Sequence, residues 1–130
     1  MPNMSISARN AQLDALASKF NSGTLECRTG TQPASAEDAA TGTLLATITL
    51  ATTAFPAASG GVLTMNATAS SGTVSGSGTI TWGRFKESGG ATICDVSIGL
   101  VGAECIATKV DVVTDDDVDI STYTHELPEA

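Results

Sequence analysis

Residues 43–51 read TLLATITLA, in which Leu44, Ala46, Ile48 and Leu50 fall at every second position with Thr47 and Thr49 between them. Successive side chains of a strand point to opposite faces, so this alternation specifies a strand with one apolar and one polar face. The same period of two recurs along the chain. Further strands are expected over residues 25–29, 62–67, 73–86, 91–98, 104–110 and 118–126. The separators are turn residues: Gly60 and Gly61 after Pro56, Ser70-Ser71-Gly72, Glu87-Ser88-Gly89-Gly90, and the acidic run around Asp115. Glu87-Ser88-Gly89-Gly90 lies between two alternating runs and reads as a hairpin. About seven short strands with no helical pattern among them predict an all-β fold, a single antiparallel β-sandwich of jelly-roll type.

Only one segment breaks that period. Residues 8–20, ARNAQLDALASKF, place Leu13, Leu16 and Phe20 at i, i+3 and i+7, and four alanines add helix propensity. Ser7 is the expected N-cap, and Asn21-Ser22-Gly23 supplies the stop. A helix of little more than three turns is marginal alone. It is therefore expected to lie through its Leu13, Leu16 and Phe20 stripe on the sheet or on another subunit. The division predicted is an N-terminal arm and helix over residues 1–23 and a β-sandwich domain over 24–130. Residues 32–41, QPASAEDAAT, are polar, Ala-rich and open with Gln32 and Pro33, which reads as a long surface loop of the kind that touches a ligand or neighbour.

Composition narrows the function. Six Lys and Arg stand against fourteen Asp and Glu in 130 residues, a net charge of −8, which excludes the basic stripe of a nucleic-acid binder. The apolar runs are too short to span a bilayer as helices, and the N-terminus shows no basic segment followed by an apolar one, so no secretory signal is expected. Ala (19), Thr (19), Ser (13) and Gly (13) make up 64 residues, while aromatics are 4%. A core of Leu, Ile, Val, Ala and Met buries less area per side chain, so neighbours in an assembly are expected to add stability. Cys27, Cys94 and Cys105 are an odd set with no C-x-x-C spacing, and read as buried, reduced hydrophobes rather than zinc ligands.

Candidate chemistry is sparse. From Asp95 to Glu129 there are nine acidic residues and one Lys, Lys109. Asp115, Asp117, Asp119 and Glu126 have the 1, 3, 5, 12 spacing of an EF-hand loop. Position 6 is Ile120 rather than Gly, and the flanks read as strands, so a solvated acidic turn is the expectation. His125 is the only histidine, and no G-x-S-x-G elbow or phosphate-cradling loop occurs. Ser75-Gly76-Ser77-Gly78 resembles an elbow by composition alone, and the sequon Asn66-Ala67-Thr68 is a chance match. Neither an enzyme activity nor a metal or cofactor is expected. In TITWGRFK, residues 79–86, Trp82 and Phe85 have opposite parity, which predicts Trp82 in the core, Phe85 outside or at an interface, and Arg84 and Lys86 reaching solvent or an acidic neighbour.

Taken in order, ARNAQLDALASKFNSGTL, RTGTQPASAEDAATGTLLATITL, FPAASGGVLTMNA, GTITWGRFKESGGATICDVSIG and VDISTYTH resemble a family of small bacteriophage and prophage virion proteins over roughly residues 6–126. TGTQPA followed by TLLA is the most specific part. Cys27 stands where a larger strand residue is expected, and residues 115–119 are more acidic than usual. The resemblance implies a structural role, most specifically a capsid cement or decoration protein. Its partners would be the major capsid protein or other virion proteins, with homo-oligomeric or lattice-bound copies, in a virion assembled in the bacterial cytoplasm. A head–tail connector or tail component is the alternative within that role, and a carbohydrate-binding β-sandwich on a tail spike the alternative outside it. Leu13, Leu16, Phe20, Gln32 and Pro33 are the residues expected to meet the partner, with the acidic C-terminal half facing solvent.

Overall fold

The computed structural model describes residues 4–66 and 72–126. The chain is mostly β, with one helix and a large mixed sheet. Strands β1 (Thr24–Arg28), β2 (Leu44–Thr49), β3 (Val62–Thr64), β6 (Trp82–Lys86), β7 (Thr92–Gly99), β8 (Cys105–Ala107) and β11 (Ile120–Glu126) form seven rows in the order β2-β1-β6-β7-β8-β11-β3. Two small ladders stand beside this sheet: β4 (Gly72–Thr73) pairs with β10 (Asp117–Val118), and β5 (Gly78–Thr79) with β9 (Asp111–Val112). All pairings are antiparallel except β7 with β8, whose registers Ile98↔Cys105 and Gly99↔Ile106 run parallel. The purely antiparallel expectation fails there, because five residues carry the chain from the end of β7 to a β8 that starts level with that end.

Other boundaries shift for local reasons. The run 73–86 is not one strand but three, interrupted around Ser75 to Ser77 and at Ile80 and Thr81. The hairpin at residues 87–90 forms as read, with the Glu87 N–H donating to the Ala91 carbonyl at 2.8 Å. In β2 the pairs Cys27↔Ala46 and Arg28↔Leu44 leave Leu45 as an extra, bulged residue. Strict alternation therefore breaks: Leu45 is buried and Leu44 is exposed, whereas Ala46, Ile48 and Leu50 keep their inward positions. The turn at Ser70 and Ser71, the sequon residues Ala67 and Thr68 and the arm Met1 to Asn3 lie outside the described residues.

The helix α1 (Ile6–Phe20) starts two residues earlier than expected. Ser5, not Ser7, is its N-cap and accepts a bond from the Ala8 N–H at 3.1 Å. Leu13, Ala17 and Phe20 are buried in the same apolar cluster as Leu25, Ile48, Leu63, Phe85 and Tyr123, so helix and sheet share one core. The Phe20 ring lies edge-on to Phe55 and Phe85, with centroids 5.0 and 5.2 Å away. The polar side of α1 is also used. Asn10, Asp14 and Asn21 accept from the backbone N–H groups of Gly61, Ala58 and Ala54 at 2.9, 2.7 and 3.0 Å, tying down the connection from β2 to β3.

Candidate functional site

Register places the charged residues. Leu25, Gly83, Phe85, Cys94 and Val96 face the core under α1, so their neighbours Glu26, Arg28, Trp82, Arg84, Lys86 and Asp95 line the opposite face of β1, β6 and β7. Half of the chain's six basic residues thus meet on one sheet face. Glu26, Arg84 and Asp95 form a row across three strands. Arg84 donates through Nε to Asp95 Oδ1 at 2.7 Å and through Nη2 to Oδ2 at 3.0 Å, with 6% and 4% of the two side chains exposed. Glu26 accepts from Arg28 at 3.2 Å and from Lys86 at 3.3 Å. The guanidinium of Arg84 also sits 5.6 Å from the Trp82 ring centroid.

This face is covered because the chain from β1 to β2 folds over it. Thr29 and Thr43 close the base of the loop, with the Thr29 N–H donating to the Thr43 carbonyl and the Thr43 N–H to Thr29 Oγ1 at 3.1 and 2.9 Å. Gly42 has φ +75°, and a Cβ there would fall 1.9 Å from the Thr29 carbonyl oxygen, so only glycine lets the two arms meet. The Trp82 Nε1–H donates to the Thr29 carbonyl at 3.0 Å. Trp82 is buried as expected, but away from the main apolar cluster; Phe85, expected outside or at an interface, is fully buried in the chain's own core on the other face. Alternation alone assigns one face of β6 to solvent, and the loop covers that face. Arg84 and Lys86 do reach acidic neighbours, with Arg84 hidden in doing so. Between loop and sheet lies a cavity of about 480 Å³ lined by Glu37, Asp38, Arg84, Thr92 and Ile93 among others.

A second cavity, of about 340 Å³, opens between β7 and β11. Cys94, Tyr123 and His125 line its core side, and the Tyr123 hydroxyl and His125 Nδ1 are 2.7 Å apart. Burial lowers the proton affinity of His125 and pushes the Cys94 thiol up to about 11, so at neutral pH both are uncharged. A reactive thiolate needs the reverse shift.

The expected partner residues separate. Leu13 and Phe20 are fully buried in the chain's own core, with Leu16 packed against it, while Gln32 and Pro33 are half-buried in the loop over Trp82. The structure does not bring the two groups together: one lies under the sheet and the other over it. Missed in the sequence was an exposed apolar turn, where Leu100 is 53% and Val101 86% exposed after β7. Two adjacent apolar residues before Gly102 were the available signal.

In the acidic run, Asp116 accepts from Lys109 Nζ at 2.8 Å and the Val113 N–H at 2.9 Å, which hold its carboxyl below the usual range. Asp119 Oδ1 accepts from the Ile120 N–H, and Asp115 takes a left-handed φ of +74°. These carboxylates shape a turn, and among the described residues no three His, Cys, Asp or Glu side chains converge as a metal site would require. No described helix is long and apolar enough to cross a membrane. No protein-family model, characterised protein or solved structure matches the chain.

Proposed function

We propose that this protein is an accessory structural component of a bacteriophage particle, a cement or decoration protein that attaches to the major capsid protein on the outside of the shell. The observation that carries this is the distribution of charge. Residues 1–94 are electrically balanced, and the whole −8 falls on residues 95–130. Five of the six basic side chains are engaged by carboxylates in ion pairs. Such an exterior is repelled by packaged DNA and compatible with the outer face of a shell. The apolar Leu100 and Val101 turn supports attachment to protein, since exposed apolar surface marks interaction sites. The motif order described above supports a virion role, with a head–tail or tail position as the alternative within it.

The jelly-roll reading is part of this proposal. It is supported by Val74, Ile80, Val112 and Val118, which the small ladders and their flanks bring into the common core.

Electron microscopy of particles tests the reading. Density for this chain across the shell surface is expected. Density at a few tail-proximal copies alone would replace cement with connector, and particles devoid of the protein would overturn the virion role.

A further inference from the structure

We propose that the cleft between β7 and β11 receives an extended strand from a partner protein, one that alternates apolar with basic side chains and completes the sheet on binding. The cleft exists because β8 begins where β7 ends. Its pairing with β7 covers only Ile98 and Gly99, and its pairing with β11 stops at Tyr123↔Cys105. Among the described residues, positions 92–97 of β7 therefore have no strand beside them on that side. Neighbouring strands lie about 4.8 Å apart, so two walls separated by one empty row are about 10 Å apart, the width of a single strand. The 340 Å³ void at this place is lined by Cys94, Asp95 and Val96 on one wall and Tyr123, Thr124 and His125 on the other.

The backbone is aimed for pairing. The Ile98 N–H donates to the Thr81 carbonyl on the β6 side at 3.1 Å, so by alternation Ser97 and Asp95 turn their amides toward the cleft. Ser97 shows what that position demands. Its N–H donates to the Glu104 carboxylate at 3.0 Å, and the Glu104 N–H donates back to Ser97 Oγ at 3.0 Å, so a side chain substitutes for the missing strand. Two residues further in, Asp95 faces the void. Across it, the Met65 N–H donates to the Tyr123 carbonyl on the β3 side at 2.9 Å, which turns the backbone of Thr124 toward the cleft. An open strand edge of this kind templates the addition of a chain.

Charge and floor select the occupant. Tyr123, Cys94 and His125 make a neutral, largely apolar floor, while the exposed Glu104 stands at the rim within the segment that carries the −8, the Asp95 carboxylate being held by Arg84. Alternate side chains of an inserted strand would meet these two environments, apolar below and basic above. The proposal rests on the shell-attachment reading only for the source of the strand, an arm of a shell subunit.

The test is amide hydrogen exchange and NMR titration of the intact protein with a capped Lys-Val-Lys-Val-Lys-Val-Lys peptide. In the free protein the Asp95 amide should exchange much faster than that of Val96, which faces β6. Added peptide should protect Asp95 and shift Asp95 and Thr124. The same peptide N-methylated at alternate residues should bind at least about tenfold more weakly, having lost several backbone bonds. Asp95 as protected as Val96 before addition would mean that the chain fills its own cleft, and protection that rises with protein concentration would mean that a second copy does; either overturns the proposal. So would equal binding of a Glu-Val counterpart. Peptide binding with no shell density removes the attachment reading and leaves the cleft standing, whereas shell density without peptide binding does the opposite.

Discussion

Arg84 grips Asp95 through two parallel bonds, of 2.7 and 3.0 Å, on a sheet face roofed by the chain's own loop. Removing either partner leaves the other charge buried and alone. The cavity beside Arg84 lets water approach, so Asp95→Ala should cost about 3 kcal/mol, near the low end for a broken buried pair. The double variant Arg84→Met with Asp95→Leu should recover most of that loss. Urea unfolding of the two variants decides it: a double variant as unstable as the single would mean that the strands need the pair itself.

Phe20 bears on how separable the N-terminus is. Its ring is fully buried against Phe55 and Phe85, so Phe20→Ala should destabilise by about 3–5 kcal/mol. Deleting residues 1–20 should unfold the remainder rather than leave a free β-domain. Circular dichroism and gel filtration of the truncated chain check this, and a compact, cooperatively melting fragment would contradict it.

Stability should fall toward both ends of the pH scale. Burial holds His125 neutral below its ordinary 6.5, so the native state binds fewer protons than the unfolded chain and loses stability as pH drops below about 6.5. Burial pushes the thiols of Cys27 and Cys105 from 9.0 up to about 12, so the unfolded chain ionises first and stability also falls as pH rises above 9. Urea midpoints at pH 5, 7.5 and 10 measure both limbs. His125→Gln should flatten the acid limb and leave the alkaline one.

Gly42→Ala should open the loop over Trp82. The new methyl would meet the Thr29 carbonyl, whose oxygen holds the indole N–H. A red-shifted tryptophan emission is expected, with a loss of about 1–3 kcal/mol for a side chain forced into a left-handed turn. An unchanged spectrum would show that the loop base tolerates the substitution.

The local patterns were legible where one rule acted alone. The hairpin at Glu87 to Gly90, the helix stripe of Leu13 and Phe20, and the inward Ala46, Ile48 and Leu50 follow from turn chemistry and periodicity. What the sequence hid were consequences of tertiary cover. Leu45 took the inward place because a bulge reset the register, which alternation in one strand cannot reveal. Phe85 and Trp82 are both buried because a loop thirteen residues long at its tip covers the face that alternation assigns to solvent. The site depended on that same folding back. Glu26 is far in sequence from Arg84 and Asp95, which the hairpin sets opposite each other, and only the strand order β1-β6-β7 puts all three in one row. Asn10, Asp14 and Asn21 carried a signal of their own, a polar stripe on the helix that reads as solvated until the loop from Ala54 to Gly61 is laid across it.

The ring contact between Phe20 and His125, 6.3 Å between centroids, joins α1 to β11, the first and last of the described elements. On the ribosome the helix emerges before the strands, and its aromatic anchor must wait for β11 to be made. Non-local pairings of this kind carry the loop-closure cost before their reward, which places the domain among slow folders. Until β11 arrives, an apolar stripe and an open sheet edge are exposed together, so crowded synthesis favours association between incomplete chains. Expression temperature is therefore expected to govern the soluble yield of this protein more than its final stability does.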